Sequence, residues 1–186
     1  MNLATLPQDL PVPLDDGACD HLGGMRLPLL TLSSTSGENV DLQQINGWLV
    51  LYCYPMTGRP DQPLPDGWDQ IPGARGCTPQ SCSFRDHYQE LQALGAEVYG
   101  LSTQATAYQQ EAADRLHLPF GLLSDVSLEF VRALGLPIFE VQGMQLIRRL
   151  TLIAKDGVIK KHFYPVFPPD KSADEVMVWL KQNRAQ

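Results

Sequence analysis

The sequence predicts an α/β protein in which helices flank a mixed β-sheet. Strand-like and helix-like runs alternate through the middle of the chain, and a hairpin and a last helix follow. Residues 48–54, WLVLYCY, form a continuous β-favouring apolar run, which is typical of a strand buried on both faces. With 186 residues, the chain is long enough for one domain with a substantial core.

The first part of the chain is predicted to be mostly irregular. Residues 1–26 are rich in proline and turn-forming residues, which indicates an N-terminal extension before a domain at 27–186. Two short strands are expected around Ser36-Gly37. After the strand at 48–54, the many prolines and glycines predict a long loop, with an insertion at about residues 58–75.

Helices and strands then alternate to the end of the chain. A helix is predicted over residues 79–94, with a proline in its first turn and Gly95 as its stop. A short helix at 127–135 is expected to be capped by Ser127 or Asp125. The other predicted elements are a strand at 96–103, a helix at 108–118, a strand at 122–125, two strands within 144–166 joined at Asp156-Gly157, and a final helix with a Ser172-x-x-Glu175 capping box.

The composition argues against several classes of protein. A net charge of −7 does not suit a nucleic-acid-binding face, which needs clustered Lys and Arg. No apolar run reaches the roughly 18 to 20 residues that would span a bilayer. The N-terminus lacks a basic segment followed by an apolar one, so we expect a cytoplasmic location. The four cysteines are too few and scattered for a secreted disulfide framework, which favours chemistry at the thiols.

Cys77 and Cys82, within GARGCTPQSCSFRDHY, are the candidate reactive pair. A thiol in the first turn of a helix meets unpaired backbone N–H groups and the positive end of the helix dipole, and both favour the thiolate. The Cys-x4-Cys spacing, with no histidine at ligand spacing, is a poor zinc site, so no metal is expected. The absence of Cys-x-x-Cys disfavours a dithiol–disulfide isomerase.

The spacing of the two cysteines also constrains a disulfide between them. If both were helical, their Cα atoms would lie about 8.6 Å apart, whereas a disulfide needs about 4.4 to 6.8 Å. The helix start would therefore have to unwind, which Pro79 makes easier. If the helix instead begins only at Pro79, less unwinding is needed.

The segment CTPQSC, followed by FRD, resembles the active site of peroxiredoxins, and in particular of their Q group, the bacterioferritin-comigratory proteins. Tyr54-Pro55 and the Arg-x-Thr pattern at 149–151 add to a resemblance that runs from about residue 27 to 180. The resemblance implies the thioredoxin fold and a thiol-dependent peroxidase with antioxidant function, acting on hydrogen peroxide and organic hydroperoxides. It also implies a thioredoxin-like reductant, no cofactor, and a monomer or weak homodimer.

By this resemblance, Cys77 is the peroxidatic cysteine and Cys82 the resolving cysteine. The sulfenic acid formed on Cys77 would condense with Cys82 to a disulfide, which an external dithiol then reduces. Arg149 would be the arginine beside the thiolate. The expected substrate-binding residues are Pro55, Thr57, Gly76, Cys77 and Arg149.

Two departures from the family pattern leave alternatives open. The family has a threonine three residues before the cysteine, where this chain has Ala74, and 21 residues separate Pro55 from Cys77. Either Thr57 supplies the hydroxyl or the hydroxyl is lost.

The choice of the site arginine is also open. The count back from Asp156-Gly157 favours Arg148, whereas the Arg-x-Thr pattern favours Arg149; on one strand the two would face opposite sides.

The remaining predictions concern less informative residues. Cys53 is expected to be a buried filler and Cys19 an exposed spectator thiol. Trp68, in the long loop, either covers the pocket or only packs. An alternative function is a redox-sensing thioredoxin-fold binding protein that the Cys77–Cys82 disulfide switches, with little peroxidase turnover.

Overall fold

The computed structural model describes residues 2–183 and confirms the α/β class. Residues 184–186, the end of the predicted domain, lie outside the described residues. The strands are β1 (Leu32–Ser34), β2 (Asn39–Val40), β3 (Trp48–Cys53), β4 (Ala96–Ser102), β5 (Leu122–Ser124), β6 (Ile138–Val141), β7 (Met144–Ile147), β8 (Leu150–Lys155) and β9 (Val158–Phe163). The α-helices are α1 (Cys77–Asp86), α2 (Tyr88–Ala93), α3 (Thr106–Arg115), α4 (Glu129–Leu134) and α5 (Ser172–Gln182).

Seven of these strands form one mixed sheet in the order β2-β1-β5-β4-β3-β8-β9. The interior strand β3 runs parallel to β4 and antiparallel to β8, and all six of its residues are buried. β8 and β9 are joined at Asp156-Gly157, as predicted, and both turn residues have positive φ, at 50° and 76°. An Asp-Gly pair suits such a turn because both residue types tolerate this conformation.

The alternating side chains of β3 divide the core into two layers. Leu49, Leu51 and Cys53 pack with α4 and the segment before β1. Val50 and Tyr52 point to the other face, where α1, α2, α3 and α5 cover the sheet. Successive strand residues face opposite sides of a sheet, so one apolar strand supplies both layers.

The helix predicted at 79–94 differs from the observed structure at its start and in its middle. It begins two residues earlier, at Cys77, and His87 divides it into α1 and α2 with φ −102° and ψ 7°.

The predicted capping box at Ser172-x-x-Glu175 is wrong, because no side chain caps α5. The Asp125 prediction is confirmed: its carboxylate accepts from the backbone N–H groups of Phe130 and Val131 in α4.

The strand predicted to start at residue 144 is two strands. β7 ends at Ile147 and pairs with β6 in a separate two-stranded sheet, whereas β8 begins at Leu150 in the main sheet. β6 was not predicted at all. The apolar pattern continues through the break, so it does not reveal that Arg148 and Arg149 lie between two sheets. Within residues 2–183, no helix combines the length and apolar character needed to cross a membrane.

Candidate active site

The candidate site lies where the loop after β3 returns to the start of α1. Gly76 is the N-cap of this helix with a φ of 108°, a left-handed conformation that favours glycine. A Cβ at this position would lie 2.3 Å from Cγ of Pro169, so there is no room for a side chain. Cys77 follows as the first helical residue, next to the unpaired N–H groups of the first turn. The backbone of Gly76 thus sets where the thiol stands.

Arg149 brings a positive charge to this thiol. Its guanidinium is buried, at 3% exposure, and Nη2 lies 3.2 Å from Sγ of Cys77. The same group donates to the carbonyl oxygens of Gly73, Ala74 and Arg75, at 3.0 to 3.2 Å. Within residues 2–183, no carboxylate forms an ion pair with Arg149. The guanidinium is therefore fixed by neutral acceptors, and its charge faces the sulfur.

A buried chain of polar side chains supports Arg149 from the other side. Nη1 donates to Oε1 of Gln80, whose amide donates to the Ser172 hydroxyl at 3.3 Å. Ser172 in turn lies 3.2 Å from the Thr151 hydroxyl, where either group can donate. The chain joins α1, α5 and β8, so three elements position one guanidinium. Sequence reasoning missed Gln80 and Ser172, although Gln80 lies within the CTPQSC segment that drew attention to the site.

The structure separates the two candidate arginines. Arg149 lies beside Cys77, whereas Arg148 is exposed. The prediction that the two would face opposite sides of one strand does not apply, because both lie in the break between β7 and β8. The local Arg-x-Thr pattern was thus a better guide than the count from the turn, because Thr151 joins the same buried network as Arg149.

Cys82 lies in the middle of α1, one turn beyond the start of the helix. It is partly buried, burial raises the pKa of its thiol, and both it and Cys77 are free thiols. Cys77 and Cys82 are both helical, so of the two alternatives considered for the pair, the one with Cα atoms about 8.6 Å apart holds. A disulfide between them would require the start of α1 to unwind.

Thr57 does not occupy the place expected for it. It is fully buried, and its hydroxyl donates to Oε1 of Gln104 at 3.3 Å, away from Cys77. Thr57 is not among the residues that line the space above Cys77, so the structure does not support the prediction that it supplies a hydroxyl there. Pro55 is buried directly after Tyr54 but does not line the space above the thiol. Thr78 is the hydroxyl-bearing residue that does.

The long loop between β3 and α1 folds back over the site. Trp68, in a short 3-10 helix, is buried and packs with Met56, Ala74 and Leu146. Its ring also lies 6.2 Å from that of Phe139 in β6. The space above the thiol measures about 10 Å³ and is lined by Leu3, Met56, Gly58, Leu64, Trp68, Arg75, Gly76, Cys77 and Thr78. Both interpretations of Trp68 thus apply, because it packs and also covers the pocket.

The other two cysteines lie in the core on the opposite face of the sheet. Cys53 is fully buried in β3, as predicted, and burial raises the pKa of its thiol well above the usual range. The prediction of an exposed Cys19 is wrong, because the segment before β1 packs it against the core at 1% exposure. Burial and the nearby Asp16 carboxylate raise its pKa to about 12.

A larger cavity, of about 520 Å³, lies beside the site under the β6–β7 hairpin. Met56 lines both this cavity and the space above Cys77. No group of three or more His, Cys, Asp or Glu side chains in the described part of the chain is arranged to hold a metal ion.

Comparisons with known proteins agree with this architecture. The model of the Redoxin family matches residues 22–177. The chloroplastic peroxiredoxin Q of Gentiana triflora is 32% identical over 83% of this chain and 64% of that protein. The chloroplastic peroxiredoxin Q of Sedum lineare is 31% identical over 85% of this chain and 77% of that protein. This chain thus spans about two thirds to three quarters of the length of these relatives.

Solved structures show the same fold. Peroxidoxin BcpB of Mycobacterium tuberculosis superposes with a TM-score of 0.70 at 23% identity, over 86% of this chain and 96% of that one. Bacterioferritin comigratory protein of Xanthomonas campestris gives 0.65 at 23% identity, over 95% of this chain and 99% of that one. The fold is thioredoxin-like, and it places a helix-start cysteine beside a buried arginine. The chain belongs to the Redoxin family, as a peroxiredoxin of the Q type.

Proposed function

We propose that this chain is a thiol-dependent peroxidase in which Cys77 attacks the peroxide. The observation that carries the proposal is the 3.2 Å contact between the Arg149 guanidinium and Sγ of Cys77 at the start of α1. A buried cation and the first-turn N–H groups both stabilise a sulfur anion, and the anion is the nucleophilic form of cysteine.

The reaction at Cys77 follows from these groups. The thiolate sulfur forms a bond to one peroxide oxygen while the O–O bond breaks, which gives a sulfenic acid. The second oxygen leaves with the bonding electron pair as hydroxide or alkoxide and takes up a proton. Donors that face this developing charge lower the barrier. We assign that role to the Arg149 guanidinium and the amide groups near Gly76, with Thr78 as the hydroxyl that lines the pocket.

Cys82 is proposed to resolve the sulfenic acid. After the start of α1 unwinds, the Cys82 sulfur attacks the Cys77 sulfur, and one water molecule leaves as the disulfide forms. A thioredoxin-like dithiol then exchanges with this disulfide and restores both thiols. The gap between two helical positions five residues apart supports a rearrangement at this step.

Membership of the family supports the predicted substrate and reductant, whereas several other predictions have no support from it. A peroxide substrate and a thioredoxin-like reductant suit a peroxiredoxin, and the curated relatives support the peroxidase over the redox-sensing alternative. The predictions of a cytoplasmic location, a monomer or weak homodimer, and no nucleic-acid or membrane partner stay predictions.

A coupled assay tests the proposed function. Peroxide-dependent NADPH consumption with thioredoxin and thioredoxin reductase should proceed over many turnovers with the wild-type chain. It should stop with Cys77→Ser. A single oxidation without further turnover would overturn the peroxidase and favour a sensor, and full activity of Cys77→Ser would overturn the role of Cys77.

A further inference from the structure

The N-terminal strap, defined here as residues 2–6, lies over the space above Cys77. Leu3 lines that space and is only 9% exposed. The Asn2 side chain closes a small turn, because it accepts from the N–H of Ala4 and donates to the Thr5 hydroxyl.

Arg75 holds the strap against the long loop. Its Nη2 donates to the Asn2 carbonyl at 3.1 Å, and its Nη1 lies 3.2 Å from the Asp69 carboxylate. The guanidinium is nearly buried, at 8% exposure. The carbonyl of the same residue accepts from Arg149. One residue thus links the strap, the loop and the arginine that faces the thiol.

Two leucines of the strap lie over two glycines at the edge of the thiol pocket. A Cβ built on Gly76 would lie 2.9 Å from Cδ2 of Leu6, and one built on Gly58 would lie 3.1 Å from Cδ2 of Leu3. The strap therefore packs closely against two of the residues that line the space above Cys77: Leu3 is itself part of the lining, and Leu6 backs Gly76. Leu64 reaches the same point beside Gly58, with Cδ2 2.8 Å from the built Cβ, and Trp68 adds a further apolar side chain to the lining.

The space above Cys77 is small. About 10 Å³ is room for roughly one water molecule. Hydrogen peroxide, with two heavy atoms, is close to that size, whereas an aryl or branched alkyl group is far larger. A bulky hydroperoxide can reach the sulfur only after the strap or the loop moves.

We propose that Leu3 and Leu6 determine peroxide specificity, as parts of a filter that admits hydrogen peroxide and holds back bulky organic hydroperoxides. The proposal rests on the proposed function, because it concerns access to the same thiol. Neither residue touches the sulfur in the reaction. Both act by excluding volume and by shielding the thiol pocket from water.

The test measures the rate constant for oxidation of Cys77 in a single turnover, with hydrogen peroxide and with cumene hydroperoxide. In the double variant Leu3→Ala/Leu6→Ala, the rate constant with cumene hydroperoxide should rise about tenfold or more, since a few methylene groups in a tight apolar pocket discriminate by that factor. The rate constant with hydrogen peroxide should change by less than about threefold, because that substrate already fits. Leu64→Ala, which truncates the pocket residue beside Leu3, should shift the ratio in the same direction by a smaller factor.

A matched control lies further along the same segment. Val12 and Leu14 are exposed, at 59% and 84%, so Val12→Ala/Leu14→Ala removes similar side chains without opening the pocket. Both rate constants should be unchanged in this control. Thermal unfolding and circular dichroism of each variant show that the fold persists.

The possible outcomes separate the filter from the proposed function. If hydrogen peroxide does not oxidise wild-type Cys77, the peroxidase itself is wrong. If it does, but the ratio of the two rate constants is the same in the wild type, the double variant and Leu64→Ala, the filter is wrong. Equal gains for both peroxides would also overturn it, since that result describes a general opening and not a selection by size.

Discussion

Cys53 and Cys77 are both almost fully buried, yet their surroundings differ in every other respect. Cys53 lies in the middle of the sheet among apolar side chains, and burial raises the pKa of its thiol. Cys77 lies at a helix start, 3.2 Å from a buried guanidinium. With Cys77 as the proposed nucleophile, the comparison teaches that burial alone would not separate an inert thiol from a reactive one. The charges and amide groups around the sulfur make that distinction.

The largest expected effect comes from replacing each of these two cysteines in turn. Cys77→Ser should lower the steady-state rate of peroxide reduction by at least about 1,000-fold, because it removes the nucleophile itself. Cys53→Ala should keep the rate within about twofold and lower the free energy of unfolding by about 1 to 2 kcal/mol through the small cavity that it leaves. The coupled NADPH assay and urea unfolding measure the two effects. A comparable loss of turnover in both variants would remove the distinction between the two thiols.

The second-largest effect concerns the Arg149 guanidinium, the cation that lies beside Cys77. Arg149→Lys should lower the rate constant for Cys77 oxidation about 100-fold, because lysine cannot donate in a fork to the sulfur, Gln80 and the loop carbonyls together. Stopped-flow oxidation by hydrogen peroxide measures this change.

Arg148→Lys is the control for that experiment, since Arg148 is exposed and adjacent in sequence. Its rate constant should match the wild type. If Arg148→Lys were the slower variant, the assignment of the guanidinium would be reversed.

The third effect tests the helix start. Gly76→Ala forces a Cβ to within 2.3 Å of Pro169 in a left-handed conformation, and we expect it to cost about 2 to 4 kcal/mol of unfolding free energy. It should also slow Cys77 oxidation, because the thiol moves relative to Arg149. Gly95→Ala, also at positive φ but with no atom within 4 Å of its Cβ, should cost only about 1 kcal/mol and leave the rate unchanged. Equal losses in the two variants would mean that the packing around Gly76 is unimportant.

The smallest effect concerns Cys82. Burial raises the pKa of its thiol, so the folded protein holds less thiolate at a given pH than the unfolded chain does. Iodoacetamide should therefore alkylate Cys82 in the folded Cys77→Ser variant with a pH midpoint above that of the same cysteine in urea. Mass spectrometry of the Cys82 peptide gives both profiles. A midpoint at or below the unfolded value would show that burial does not control this thiol.

Local signals predicted the parts of the fold that depend on neighbouring residues. The Asp156-Gly157 turn, the buried strand at 48–54 and the Asp125 cap are such features, since a few adjacent residues determine each of them. The break between β7 and β8 is different. The backbone is not part of a strand at Arg149, because the side chain of this residue is held by three loop carbonyls and by Gln80, which lie far away in sequence.

The candidate site shows the same division. The pair Cys77 and Cys82 could be found from a single segment of sequence. Ser172 could not be found in this way. In the sequence it has the position of a helix cap, and only the packing of the folded chain brings its hydroxyl to Gln80. Thr57 was misplaced for a related reason, since its partner, Gln104, belongs to the loop after β4. Cys19 was expected to be exposed because a polar segment gives no sign that it folds against the core.

The most direct measurement of the central claim is the intact mass of three proteins after one equivalent of hydrogen peroxide. The wild type should lose two hydrogen atoms as the disulfide forms, Cys82→Ser should gain one oxygen on Cys77, and Cys77→Ser should keep its mass. A sulfenic acid on Cys82 of the Cys77→Ser variant, with Cys77 left reduced in Cys82→Ser, would contradict the account.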